Sequence, residues 1–178
     1  MAEAKITEDR IAFLRSLRAV RSFRPDPVRQ EVVDDILEVA RWSGSAANRQ
    51  PWELVVIRDR KTLEALASVE GYAGHLRNAP LGIVLVMAGE RPTQETYDEG
   101  RLAERIMLGA LAHGVGSSVG WIVGGGRAAA KELLGIPDPR TVRTAISLGY
   151  PDESPRRATG PGQARKPLSE IVHEERYG

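Results

Sequence analysis

The chain is 178 residues long and carries 25 Lys and Arg against 24 Asp and Glu, a formal net charge of +1. That length suits one domain over residues 1–178, and the charge balance leaves no broad field for nucleic acid or an anionic membrane, so an anion has to be gripped locally. The absence of cysteine excludes disulfides, thiolate metal sites and thiol nucleophiles, and the three histidines, His75, His113 and His173, lie too far apart to suggest a metal cluster.

The opening stretch MAEAKITEDR is charged and lacks the apolar core of a targeting segment, and no later run reaches the length of a membrane span. A cytoplasmic location without membrane contact is the expectation. Thr7 can cap a first helix that carries Ile11, Leu14 and Leu17 and stops near Pro25 and Pro27, which lack amide donors. If that helix continues through LRAVRSF (17–23), Arg18 and Arg21 stand three apart on one face and can converge on one anion; the same spacing also reads as a solvated face. Residues 29–42 carry Val32, Val33, Ile36, Leu37, Val39 and Ala40 in the stripe of a second helix.

SGSAANRQPW (43–52) then offers Ser45, Asn48 and Gln50 in a short polar junction, which serves equally as a ligand-lining loop or as a helix C-cap and turn. ELVVI (53–57) and LGIVLVMA (81–88) read as strands covered on both faces, with a short helix at 60–69 between them. Residues 97–113 form a long helix with a wide apolar face (Leu102, Ala103, Ile106, Met107, Ala110, Leu111), wide enough to call for a partner surface. The adjacent acids Asp98 and Glu99 point about 100° apart on that helix and read as its solvated side. SSVGWI (117–122) and RTAISLGY (143–150) are two more strand candidates around a helix at 128–135. A Pro/Gly-rich basic loop (151–167) precedes the apolar tail LSEIV (168–172), which has to dock on this domain or on a neighbouring subunit.

Several motifs fail on context. GVGSSVG (114–120) has valine at the last glycine of a dinucleotide fingerprint and follows a helix instead of opening one; GGGR (124–127) lacks the Lys-Ser/Thr of a phosphate loop; no G-x-S-x-G elbow is present. What remains is polar chemistry at three junctions: the arginines at 18 and 21, the polar stretch at 43–52, and the glycines of GWIVGGG (120–126), where backbone amides can approach a flat ligand. Arg165 and Lys166 add a late basic pair.

RAVRSFRPDPV (18–28), SGSAANRQPWELVVI (43–57), YDEGRLAERIMLGALAHGVGSSVGWI (97–122), LLGIPDP (133–139) with AISLGYPDE (145–153), and RKPLSEIVHEERYG (165–178) resemble, in order and spacing, the nitroreductase family of flavin enzymes. S-x-x-N-x-Q-P-W is the most specific piece. The resemblance implies an α+β fold with a central, mostly antiparallel sheet flanked by helices. It also implies a homodimer with exchanged C-terminal tails and one FMN in each of two sites built by both chains. It further implies that Ser45, Asn48 and Gln50 line the flavin, that Arg18 with Arg165 or Lys166 holds the phosphate, that Arg21 lies by the pyrimidine edge, and that the Gly124 amide faces the edge of the ring. NAD(P)H would supply electrons in a ping-pong cycle to nitroaromatics, quinones or activated alkenes, with no catalytic side chain and no metal. A flavin-binding or flavin-buffering protein without turnover is the alternative, because it would use the same residues. Two departures stand out: Leu17 and Ala19 occupy the family's first arginine and serine, and little room separates MAGE from YDEG for a substrate-side helical excursion.

Overall fold

The computed structural model describes residues 2–152 and 165–177. Four strands, β1 (Trp52–Ile57), β2 (Leu81–Met87), β3 (Gly116–Trp121) and β4 (Thr141–Gly149), form one antiparallel sheet in the order β1-β2-β4-β3. Five α-helices accompany it: α1 (Ala2–Ser16), α2 (Gln30–Arg41), α3 (Arg60–Leu66), α4 (Pro92–Ala112) and α5 (Gly126–Leu134). The expected α+β architecture with a central antiparallel sheet is the one observed.

The composition of β2 dictates its position. Its seven residues contain no polar side chain and successive side chains point to opposite faces, so both faces need cover; every residue of the strand is buried. Leu81, Ile83 and Leu85 pack under α2 and α4 with Val32, Val33, Ile36, Leu102, Ile106 and Ala110. Val84 and Val86 face the other way, onto Leu63, Leu66, Leu76 and Ala130 from α3, α5 and the loop between α3 and β2. Each such aliphatic side chain contributes about 1.5–3 kcal/mol on burial. Gly82 is required here, since a Cβ would stand 2.7 Å from Leu63 Cδ2.

Four expectations need correction. The strand at 53–57 is not covered on both faces: β1 is an edge strand, paired only to β2, and its Glu53 and Val56 are exposed. The first helix does not continue through the arginines. It begins five residues before Thr7 and ends at Ser16, because Ala19 makes a parallel bridge to Ser117 and the Val20 amide donates to Ser117 O at 2.8 Å. The long helix starts at Pro92, where a residue without an amide donor costs nothing, and its apolar face is spent inside its own chain on Leu85, Ile146 and α2.

The acids of α4 are the fourth correction. Glu95, Asp98 and Glu99 are buried, at 3%, 5% and 4% exposure, not solvated. Glu95 collects the amides of Gly89, Glu90 and Arg91, each at 2.9 Å, and so fixes the turn that leads into the helix. Glu99 meets Arg143 (Nε 2.9 Å, Nη2 2.8 Å), which a bulge supplies: Leu85 pairs with Thr144 and Val86 with Val142, leaving Arg143 as the extra residue of β4. Most of the Pro/Gly-rich loop, 153–164, lies outside the described residues; the described tail is exposed along its length, Leu168, Ile171 and Val172 included. Among the described residues no helix is long and apolar enough to cross a membrane.

Candidate functional site

β3 is bonded to β4 along one side only, and two loops attach to its other edge at opposite ends. The segment after α1 joins at Ser117. At the far end the Tyr72 amide donates to Trp121 O (2.6 Å), Gly71 bridges Ile122, and the Val123 amide donates to Glu70 O (3.1 Å). The edge between them, four residues from Ser117 to Trp121, runs about 13 Å at the usual strand rise.

At the Ser117 end, Arg18 and Arg165 come together with Arg15 around a cavity of about 510 Å³, whose wall also contains Leu17, Ala19, Glu104 and Met107. Arg18 turns its Nη1 back onto the carbonyls of Arg15 (2.6 Å) and Leu17 (2.7 Å), capping the end of α1 and leaving its other donors for a ligand. Leu17 packs on the core. Lys166 is exposed beside Arg165 and does not line this cavity. Sequence reading missed Arg15, although its position one turn before Arg18 was a signal.

Arg21 is exposed and close enough for its charge to act on His75. The His75 ring is half-buried over β3 and β4: Nδ1 is 2.7 Å from Ser147 Oγ, and Nε2 is buried where a Cβ on Gly120 would come within 3.1 Å of it. Burial pushes the imidazole pKa below its ordinary value, the Arg21 charge adds to this, and a hydrogen bond with the Val119 backbone opposes it. The ring is therefore neutral near pH 7.

At the Trp121 end, Gly124 adopts a left-handed φ of +50°. The amides of Val123, Gly125 and Gly126 are hydrogen-bonded; that of Gly124 has no partner among the described residues. Gly124 is exposed, so this amide is open to solvent or to a ligand.

The polar stretch makes a second, separate structure. A turn of 3₁₀ helix, Ala46–Asn48, leads to Gln50 through three non-glycine residues at positive φ: Ala47 (52°), Asn48 (52°) and Gln50 (50°). Ser45 Oγ accepts the Gln50 amide at 2.8 Å and holds this turn, while Gln50 Nε2 donates to Asn48 O at 3.3 Å. Such conformations cost about 1–3 kcal/mol each and cluster where function demands a shape. Capping of α2 is not the purpose of these side chains, since the Ser43 and Trp42 amides already bond to the helix's last carbonyls. Gln50 lines a cavity of about 270 Å³ with Arg49, Arg91, Asp98 and Arg140.

Within one chain the two structures do not meet. Gln50 enters the sheet through β1 and Gly124 leaves it from β3, with β2 and β4 between them, a separation of about 14 Å at the usual strand spacing. Arg18, Arg165, Arg21 and Gly124 share one edge; Ser45, Asn48 and Gln50 stand at the other.

Residues 14–71 match the Nitroreductase family. Over 155 residues the chain is 32% identical to an Archaeoglobus fulgidus protein whose name, assigned by inference, is NADH dehydrogenase/NAD(P)H nitroreductase, covering 82% of this chain and 87% of that one. It is 29% identical over 192 residues to an NADH dehydrogenase of Thermus thermophilus, covering 87% and 90% of the two chains. An FMN-dependent nitroreductase from Clostridium difficile R20291 superposes with a TM-score of 0.82 at 28% identity, covering 94% of this chain and 99% of that one. Strand order, the polar turn before β1 and these likenesses agree, and the chain belongs to the nitroreductase family.

Proposed function

We propose that the protein is an FMN-dependent oxidoreductase that accepts electrons from NADH or NADPH and delivers them, in ping-pong order, to nitroaromatic, quinone or activated-alkene acceptors, working as a homodimer. The observation that carries this reading is the order of groups along the free edge of β3: a cavity with Arg15, Arg18 and Arg165 at one end and the open Gly124 amide at the other, with the exposed Arg21 near His75. That order fits FMN, an anionic phosphate joined by a flexible chain to a flat ring rimmed with acceptors.

In this reading Arg18 and Arg165 hold the phosphate with charge-assisted hydrogen bonds, and Arg15 adds to the field that draws it in. Glu104, in the same wall, opposes an anion and limits the affinity. Arg21 favours negative charge at the pyrimidine edge of the ring, while the neutral His75 beside it adds none. The Gly124 amide bonds the opposite edge. Ser45, Asn48 and Gln50 of the second chain close the ring from the other side, which accounts for their distance from Gly124 within one chain. When bound, FMN supplies the electron-transfer chemistry between donor and acceptor; the protein's part is binding, orientation and charge.

The test is the visible spectrum of the purified protein, followed by anaerobic addition of NADH and then NADPH. A flavin band that bleaches is the expected result. A colourless protein that takes up no FMN would overturn the reading, and a yellow protein that neither nucleotide bleaches would instead be a flavin carrier.

A further inference from the structure

One residue of a distant loop, Glu70, packs against the glycines that follow β3. The Val123 amide donates to Glu70 O (3.1 Å) and the Gly125 amide to Glu70 Oε2 (2.8 Å), so two hydrogen bonds accepted by residue 70 bracket the Gly124 amide. A Cβ on Gly124 would stand 2.5 Å from both carboxylate oxygens of Glu70, and one on Gly126 would lie 2.2 Å from its carbonyl oxygen. The turn is thus wrapped around Glu70: its carboxylate fills the space beside Gly124 and its backbone the space beside Gly126, while a Cβ on Gly125 would make only ordinary contact at 3.6 Å. Within the turn itself, among the described residues, one further bond closes it, Gly126 N to Val123 O at 3.0 Å. Three consecutive glycines have many accessible conformations, and one closing bond does not select among them. Gly124 at φ +50° followed by Gly125 near the right-handed helical region makes a concave run of amides of the kind that receives an electronegative group.

We propose that Glu70 is a positioning residue: by clamping the amides on either side, it holds the Gly124 N–H toward an acceptor on the ring of the bound flavin. This rests on the FMN reading given above. Glu70 acts through the turn and need not touch the reacting atoms. A purely structural role is the competing account, since a carboxylate at the start of α5 also stabilises that helix. The two accounts differ in what they predict for the flavin.

The test measures the FMN dissociation constant and midpoint potential of holoprotein carrying Glu70→Ala, Glu70→Gln or Glu70→Asp, alongside the melting temperature of each apoprotein. Glu70→Ala is expected to weaken FMN by about tenfold, the weight of one hydrogen bond, and to lower the potential. Glu70→Gln keeps an acceptor for the Gly125 amide without the charge, and should restore affinity to within about threefold of wild type with a potential at or above it. Glu70→Asp keeps the charge one methylene too short to reach, and should behave like the alanine variant even if the latter folds poorly. Variants that melt earlier but keep wild-type affinity and potential would overturn the proposal. A wild-type protein that takes up no FMN would instead fault the flavin reading on which it rests.

Discussion

His75 and two of the three arginines around the cavity at the Ser117 end, Arg18 and Arg165, illustrate how much a residue's neighbours decide. Burial keeps the His75 pKa below its ordinary 6.5, so folding favours the neutral ring. The sign follows: this contribution to stability is fully present above pH 6.5 and is lost as the pH falls through the lowered folded value, when the buried ring must take up a proton beside Arg21. Melting temperatures between pH 7 and pH 5 should therefore fall more steeply in wild type than in His75→Gln; parallel curves would mean that the imidazole is hydrated. Arg18 and Arg165 share a cavity but not a structural role. Arg165 is exposed, whereas Arg18 also caps α1 through the carbonyls of Arg15 and Leu17. Arg165→Ala is expected to weaken FMN by about 10- to 100-fold, one charged hydrogen bond, with the melting temperature unchanged. Arg18→Ala should weaken FMN similarly and also cost about 1 kcal/mol of stability, read by calorimetry of the apoprotein.

At the scale of elements, the bulge in β4 and the first turns of α4 are one device. Arg143 leaves the regular register and meets Glu99 under the helix, where the two side chains keep only 16% and 5% of their exposure. Their partnership is incomplete, since Glu99 Oε1 is buried without a hydrogen bond and Arg143 Nη2, though 2.8 Å from Glu99 Oε2, is not aligned to donate to it. Removing one member strands a buried charge. Arg143→Ala is thus expected to lower the unfolding free energy in urea by about 3–5 kcal/mol, while the apolar pair Arg143→Met with Glu99→Leu should recover most of the loss. An Arg143→Ala variant within about 1 kcal/mol of wild type would show that water reaches Glu99.

At the scale of the whole molecule, the apolar surface left uncovered is the telling quantity. Ile6, Ile11 and Leu14 on α1, Val119 and Trp121 on β3, and Leu168, Ile171 and Val172 in the tail are all exposed. The homodimer proposed above would place a partner over this surface. A second copy would cover it and would bring the turn at Ser45–Gln50 to the edge of β3 that a single chain cannot reach. Sedimentation should give twice the 19.4 kDa chain mass. Deleting residues 165–178 should release monomer and free FMN together, because Arg165 and the apolar tail go at once. A truncated protein that stays dimeric and yellow would leave the tail without a role in assembly.

The sequence by itself determined what depends on neighbours along the chain. The apolar run of β2 requires cover on both faces, the 3.6-residue stripe of α2 requires a core on one side, and Ser45, Asn48, Gln50 and Trp52 stand at a spacing specific enough to imply the family. Only the tertiary structure decided what depends on partners far away. Asp98 and Glu99 read as solvated because nothing local indicates burial; for Glu99 the indication is Arg143, 44 residues on, aimed by a bulge that pairing with β2 creates. The helix at residue 16 stops where β3 offers a backbone partner a hundred residues later, so the spacing of Arg18 and Arg21 could not reveal it. Glu70 was illegible for the same reason: its carboxylate meets the Gly125 amide, 55 residues away, only when folding brings the two together. Periodicity records which side of an element is apolar, but a buried charge or an unpaired amide is defined by the groups that surround it, and those are assembled only by the fold.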